Sequence, residues 1–267
     1  MVLFSLRTTV DVGGTEVKTK IVLSGCCGAM GRMIAQCAAQ RSDCEIVAGI
    51  DINPVKYADF DVFPSPESLT TEADVIIDFS HPTALLPLLE TAKQKGLPVV
   101  VCTTGLSEQQ LSAMREASQE IAVFHSGNMS LGINLMIALA KKAAQVLGNE
   151  FDIEIIEKHH NRKLDAPSGT ALMIANGIND ARDNGYRYEY DRHVRREKRP
   201  KNEIGIHAVR GGTIVGEHEV LFAGPDEIVT ISHSARSRDV FATGALNASL
   251  FLVGKNPGLY DMTDLLA

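Results

Sequence analysis

The chain has 267 residues, 45% of them apolar and 22% charged, a composition that suits a globular protein with one or two cored domains. A formal charge of -7 argues against a general nucleic-acid binder, so an acidic ligand needs a local basic pocket. No unbroken apolar run reaches the ~20 residues of a membrane span. Five cysteines, an odd number with two adjacent, suit free thiols in a reducing cytoplasm better than a disulfide framework.

Residues 1–19 are polar, carry a Gly13-Gly14 turn signal, and lack the long apolar stretch and cleavage site of a signal peptide. They are expected to be a flexible leader outside the fold. From Lys20 onward strand and helix alternate. Short apolar runs at 20–24, 45–50, 74–79, 97–102 and 121–125 predict strands, and helices are predicted near 31–41, 82–95 and 107–118. Continuous apolar strands between helices predict a parallel sheet covered on both faces, and right-handed crossovers make it a doubly wound, Rossmann-type domain.

After residue 128 the pattern changes. A long helix is predicted over 131–147, then a strand at 151–157 and a helix from about 168 to 180. Residues 181–203 read as a charged surface loop. Its basic run around Lys198-Arg199-Pro200-Lys201 is diluted by Asp191 and Glu197 and suits a solvated loop better than a nucleic-acid patch. Alternating strands follow at 204–210, 213–222 and 227–234, with Arg210-Gly211-Gly212-Thr213 read as a hairpin turn, and a helix at 239–253 closes the fold. The expected organisation is α/β: a dinucleotide-binding domain at 20–130 completed by 239–267, then a substrate-binding α+β domain at 131–238 with a mixed, largely antiparallel sheet.

Gly25-Cys26-Cys27-Gly28-Ala29-Met30-Gly31-Arg32 follows the first strand and opens a helix. Its G-x-x-G-x-x-G spacing differs from the usual dinucleotide fingerprint but relies on the same physics: residues without Cβ permit the turn and admit a pyrophosphate to a helix N-terminus. Asp51, at the end of the second strand and twenty residues beyond Gly31, can accept hydrogen bonds from ribose hydroxyls. Cys26 and Cys27 are read as small residues packing the turn, since a redox pair of adjacent cysteines needs strained geometry. Further strand ends expected to line the same crevice are Phe79-Ser80, Cys102-Thr103-Thr104 and Ser126-Gly127-Asn128-Met129. Asp51 favours the free 2′-hydroxyl of NADH over the phosphate of NADPH, while Lys56, Lys20 and Arg32 are the basic residues that could restore NADPH binding, so NADH or NADPH is the expected cofactor.

The segment Glu157-Lys158-His159-His160-Asn161-Arg162-Lys163-Leu164-Asp165-Ala166-Pro167-Ser168-Gly169-Thr170-Ala171 carries the remaining chemistry. An alternating apolar run delivers two histidines to a strand end, a lysine follows, and Pro-Ser-Gly-Thr can open a helix whose free N–H groups attract anions. A proton donor, an ammonium group and a carboxylate cradle so close together suit protonation of an anionic substrate. A metal site is disfavoured, because adjacent histidines cannot chelate one ion as an i, i+4 pair does.

With these motifs, Val209-Arg210-Gly211-Gly212, Gly216-Glu217-His218 and Ser237-Arg238, the chain from about Lys20 onward resembles the 4-hydroxy-tetrahydrodipicolinate (dihydrodipicolinate) reductase family. That family carries Gly-Thr-Thr where this chain has Cys102-Thr103-Thr104. The resemblance implies NAD(P)H-dependent reduction of a cyclic dicarboxylate on the diaminopimelate route to lysine. It implies His159 as proton donor, Lys163 as assisting cation, and His160, Gly169 and Thr170 as contacts to substrate carboxylates. It also implies a homotetramer assembled through strands 204–234, while the charge, the thiols and the lack of a signal peptide or long apolar run lead to the expectation of a cytoplasmic protein with neither nucleic acid nor membrane as partner. Two alternatives stand beside this one: a catalytically silent dinucleotide-sensing or assembly protein on the same fold, and a related dehydrogenase of the aspartate pathway, such as an aldehyde or homoserine enzyme, the acylating aldehyde form having Cys102 as its one candidate nucleophile.

Overall fold

The computed structural model describes residues 18–183, 185–193 and 195–267, so the expected leader lies, up to residue 17, outside the described residues. The elements begin with β1 (Thr19–Ser24), α1 (Ala29–Ala39), β2 (Cys44–Ile50), β3 (Asp61–Phe63), β4 (Val75–Asp78), α2 (Leu85–Lys95), β5 (Val99–Val101), α3 (Glu108–Ala117) and β6 (Ala122–His125). Next come α4 (Leu131–Leu147), β7 (Asp152–His159), α5 (Gly169–Asp180), β8 (Arg187–Glu189), β9 (Glu203–Arg210), β10 (Gly216–Ala223) and β11 (Ile228–Ala235). The chain ends with α6 (Asp239–Leu252), β12 (Gly258–Tyr260) and α7 (Met262–Leu266). Two compact units result, one running to Met129 and resuming with Phe241–Ala267, the other Ser130–Val240.

The first unit is built on a seven-stranded sheet in the order β12-β6-β5-β4-β1-β2-β3, and every pairing is parallel. Such a sheet needs apolar residues on both faces. Accordingly Ile21, Val22, Leu23, Val75, Ile76, Ile77, Val99, Val100 and Val101 are all fully buried. β1 pairs with β2 on one side and β4 on the other, so the strand order reverses there, and ligands in such sheets bind beyond the strands' carboxyl ends at that reversal. The strands β3 and β12, absent from the sequence reading, have three residues each and lack the continuous apolar run that marks the equally short β5.

The second unit has a five-stranded sheet in the order β11-β10-β7-β9-β8. Its antiparallel part is β7, β10 and β11, while β9 and β8 add in parallel. The hairpin expected at Arg210-Gly211-Gly212-Thr213 is therefore wrong. β7 lies between β9 and β10, and the chain crosses over its end, where the Gly211 N–H donates to His159 O at 2.9 Å. The loop reading of 181–203 also needs correction, because β8 lies within it and several of its arginines are held by carboxylates. Arg192 and Arg195 ion-pair with the fully buried Glu203, Arg195 also with Glu189, and Arg199 with Asp152 and Glu154.

On the inner face of this sheet Ile153, Ile155, Ile204, Ile206, Val220 and Phe222 pack with Met136, Ala140, Ala144, Ala171, Ile174 and Ile178 of α4 and α5. Leu131–Glu150, with a mean hydropathy of 1.2, is long and apolar enough to cross a membrane. Its buried Met136, Ala140 and Ala144 nevertheless belong to this core, and Lys141 and Lys142 lie within the helix.

One glycine tests the packing of the first unit. A Cβ added to Gly244 in α6 would sit 1.7 Å from Met129 O, a backbone atom that cannot swing aside. Gly→Ala inside a helix ordinarily stabilises by ~1 kcal/mol. Here overpacking reverses the sign, and Gly244→Ala is expected to cost about 1–3 kcal/mol in urea denaturation. An unchanged or raised midpoint would contradict this packing.

Candidate active site

The glycine turn begins where β1 ends. Gly25 has φ +76°, and its N–H donates to Ile50 O at 2.8 Å. A Cβ on Gly25 would lie 2.5 Å from Phe79 O, and one on Gly31 would lie 2.3 Å from Gly25 O. The first glycine thus lets the ends of β1 and β4 approach, and the third lets α1 pack on the turn. Gly28 is the N-cap of α1 and provides no side-chain acceptor, and the helix's first turn holds no acidic residue. The helices α3, α4 and α5, by contrast, are capped by Ser107, Ser130 and Ser168. The amides that open α1, at Ala29 and Met30, therefore lack a side-chain cap, which fits a pyrophosphate.

Asp51 sits beside this turn. One carboxylate oxygen accepts the Cys27 N–H at 3.0 Å and the other the Asn53 N–H at 3.1 Å. Arg32 donates from Nε to Cys27 O at 3.1 Å and lies 4.3 Å over the Tyr57 ring, whose hydroxyl donates to Cys26 O at 2.7 Å. Lys56 is paired with Asp61 at 2.8 Å. Lys20 is not at the crevice. It lies four residues before the end of β1, about 13 Å away along the strand.

The other expected strand ends are tied together by a residue the sequence reading passed over. Asp78, fully buried, accepts the Thr103 hydroxyl at 2.6 Å and the Ser80 N–H at 3.2 Å. It thereby joins the Phe79-Ser80 turn to the Cys102-Thr103-Thr104 turn. Ser126 donates from its hydroxyl to Asn128 O at 2.8 Å and shapes the turn through Gly127 to the buried Met129. Cys102 is buried, and that burial pushes its thiol well above the ordinary value, so it is not poised as a nucleophile.

In the second unit the inner face of β7 runs Ile153, Ile155, Glu157, His159, from apolar to ionisable. Glu157 has no solvent access, yet four N–H groups meet its carboxylate. Arg210 donates from both Nη atoms at 2.8 and 2.7 Å, the Ser168 N–H donates at 2.9 Å, and His159 Nδ1 lies at 2.6 Å. Burial pushes this carboxyl up, but the hydrogen bonds from Arg210 and His159 outweigh it and the net shift is downward. An ionised carboxylate can only accept, so Nδ1 of His159 carries the proton and Nε2 is left for chemistry. A Cβ on Gly216 would lie 3.1 Å from that Nε2.

Around this pair, His218 meets the His159 ring edge-on at 5.2 Å, and its Nε2 lies 3.1 Å from the Ser168 hydroxyl. Burial and then the neighbouring His159 push His218 down to about 4. Lys163 pairs with Asp165 at 2.9 Å, and its own N–H donates to His160 O at 3.2 Å. Partial burial and then the Arg162 charge push His160 down, and its Nδ1 has no hydrogen-bond partner among the described residues. Gly169 and Thr170 form the first turn of α5, where a Cβ on Gly169 would meet open space. His159, His160, Lys163, Gly169 and Thr170 thus share the carboxyl end of β7 and the start of α5. The expected cofactor residues all lie in the first unit, along one edge of its sheet.

The family descriptions "Dihydrodipicolinate reductase, N-terminus" and "Dihydrodipicolinate reductase, C-terminus" match residues 19–129 and 132–266. The chain belongs to the dihydrodipicolinate reductase family. It is 54% identical over 247 residues to the 4-hydroxy-tetrahydrodipicolinate reductase of Caldanaerobacter subterraneus subsp. tengcongensis, covering 92% of this chain and 98% of that one. Its identity to the enzyme of the same name from Clostridium tetani is 49%, with 92% and 96% covered. A solved structure, the dipicolinate-bound dihydrodipicolinate reductase from Paenisporosarcina sp. TG-14, superposes with a TM-score of 0.78 at 26% identity, covering 94% of this chain and all of that one. The fold alone is shared with the scyllo-inositol dehydrogenase of Lactobacillus casei solved with bound NAD(H), at a TM-score of 0.54, 13% identity, and 94% and 93% coverage.

Glu157, Ser168, Arg210 and His218 stand inside the motifs that carry the family resemblance, yet the sequence reading gave them no role. One signal was available for Glu157: it lies two residues before His159, on the same face of the strand. Burial of His218 also has a consequence for stability. Its folded value lies near 4 against an ordinary 6.5, so the stability is whole above pH 6.5. It declines as pH falls from 6.5 toward 4, because the unfolded chain takes up a proton that the folded one refuses. The difference amounts to roughly 3 kcal/mol. His160 and His233 shift in the same direction. Urea midpoints measured between pH 7 and 4.5 are expected to fall, and less steeply in His218→Gln. Equal slopes in the two proteins would count against a neutral buried His218.

Proposed function

We propose that this chain catalyses NAD(P)H-dependent reduction of 4-hydroxy-tetrahydrodipicolinate (dihydrodipicolinate) to tetrahydrodipicolinate, on the diaminopimelate route to lysine. The observation that carries the proposal is the buried Glu157 carboxylate holding His159 by Nδ1 beside the N-terminus of α5, in a chain of this family. The substrate is a small dicarboxylate, in keeping with the dipicolinate bound by the Paenisporosarcina relative.

The first unit is the dinucleotide-binding domain. Gly25, Gly28, Ala29, Met30, Gly31 and Arg32 receive the pyrophosphate, and Asp51 accepts hydrogen bonds from the adenosine ribose. The turns at Phe79-Ser80, Cys102-Thr103-Thr104 and Ser126-Gly127-Asn128-Met129 line the rest of the crevice. The bound nicotinamide supplies a hydride to the substrate ring. Protonation then falls to His159, which Glu157 holds by Nδ1 and whose Nε2 gives up the proton. Lys163 holds developing negative charge. His160 and the first turn of α5, through Gly169 and Thr170, receive a substrate carboxylate.

Two further readings rest on the second unit and the thiols. Among the described residues the helices of the unit pack on the inner face of its sheet, and the outer face carries Ile156, Leu221, Val209 and Ile228, with Val209 and Ile228 exposed. This suits assembly into a homotetramer through β9, β10 and β11. No disulfide joins any of the five cysteines, which suits a reducing cytoplasm.

Turnover, followed by loss of NADH absorbance, tests the site. His159→Ala is expected to lower kcat by roughly 10²–10⁴-fold with cofactor affinity changed only a few fold, whereas His160→Ala should mainly raise KM. Wild-type turnover in His159→Ala would sink the assignment. Cofactor choice leans modestly to NADH, because Asp51 disfavours a 2′-phosphate and Lys56 is held by Asp61. Asp51→Ala should move the ratio of kcat/KM values toward NADPH, measured at low ionic strength. A strong NADPH preference in the wild type would overturn this reading of the pocket.

A further inference from the structure

The glycine turn brings two thiols and a carboxylate together. The Cys26 and Cys27 Sγ atoms are 3.9 Å apart, and with an Asp51 carboxylate oxygen they all lie within 4.8 Å of one another. Tetrahedral Zn²⁺ with thiolates at ~2.3 Å sets neighbouring sulfurs about 3.8 Å apart, whereas a disulfide needs about 2.05 Å. The pair therefore stands at a chelating separation and not at a bonding one.

The position of each donor is set by its surroundings. Cys26 is fully buried against Gly49, where a Cβ would come within 2.5 Å of its sulfur, and its carbonyl is held by the Tyr57 hydroxyl. Asp51 is oriented by the Cys27 and Asn53 N–H groups, one on each oxygen, and each oxygen keeps a second lone pair. Such outer hydrogen bonds are what orient ligands in metal sites. Cys27 is partly exposed, which gives an ion a way in, and water can complete a fourth position. Two sulfurs and one oxygen select a thiophilic cation over Mg²⁺ or Ca²⁺.

We propose that Cys26, Cys27 and Asp51 form a binding site for one thiophilic divalent cation of the zinc–cadmium class, and that its occupancy opposes dinucleotide binding. The antagonism rests on the reading of Asp51 as the ribose acceptor, since a coordinated carboxylate is no longer free for the ribose hydroxyls. By linkage, cofactor and cation must weaken each other by the same factor.

The test uses Cd²⁺ as the probe, titrated into the whole reduced chain and followed by thiolate-to-metal ultraviolet absorption. The wild type is expected to bind one equivalent with that absorption. Cys27→Ser and Cys26→Ser should each weaken binding by about tenfold or more, as even loss of an outer hydrogen bond does. His159→Ala should bind as the wild type does, which separates this site from the histidine loop. Undiminished affinity in Cys27→Ser, or in Cys26→Ser should only that variant fold, overturns the site. Saturating NADH should weaken Cd²⁺ by the factor by which Cd²⁺ weakens NADH, and an unchanged Cd²⁺ affinity overturns the antagonism. NADH titrated into metal-free wild type separates the two readings: failure to bind there refutes the cofactor assignment and leaves the thiol result standing.

Discussion

A carboxylate with no access to water organises the polar end of the second unit. Glu157 would be costly to bury alone, because an unpaired charge in the interior loses its hydration. The donors that compensate come from three places: Arg210 at the end of β9, Ser168 at the start of α5, and His159 on β7 itself. One charge thus pins two strands and a helix at one point, and the requirement to satisfy it determines where α5 begins. The same requirement fixes the proton on His159 Nδ1. The residue proposed to donate a proton is therefore held by the group that the local fold cannot lose.

Ser168 shows how closely these demands are combined. Its N–H serves Glu157, its hydroxyl caps α5 by accepting the Ala171 N–H at 3.1 Å, and the same hydroxyl lies beside His218. The loop between His159 and Ser168 is anchored by backbone hydrogen bonds to Gly211 and Gly212, and Arg210 reaches Asp165 O at 2.6 Å. The crossover past the end of β7, which replaces the expected hairpin, thereby supplies the wall against which the histidine loop is held.

The device recurs. Asp78 in the first unit has no exposure and joins two turns at the carboxyl edge of the parallel sheet. Glu203 has none either and gathers Arg192 and Arg195 from the charged segment before β9. Asp78 ends β4, Glu203 opens β9 and Glu157 lies within β7, and each replaces water with fixed donors. Around Gly25 and Gly31 the opposite means is used, since side chains are removed so that backbone can approach backbone.

Local spacing was enough to read much of this molecule. Continuous apolar runs identified the parallel strands β1, β2, β4, β5 and β6, and an apolar run identified α4 to its observed bounds, although Leu135, Leu139 and Val146 within it are exposed. The glycine turn and the histidine segment stood out in the same way. These features depend on neighbours within a turn or two, so the sequence carries them directly. The strands β3, β8 and β12 have three residues each, as β5 does, but lack its continuous apolar run, and each pairs with a longer neighbour. The insertion of β7 between β9 and β10, the capture of Glu157 by an arginine 53 residues away, and the pairing of Asp78 with Thr103 were decided by the tertiary structure. A buried charge selects its donors by position in space, and no local pattern encodes which distant strand will deliver them.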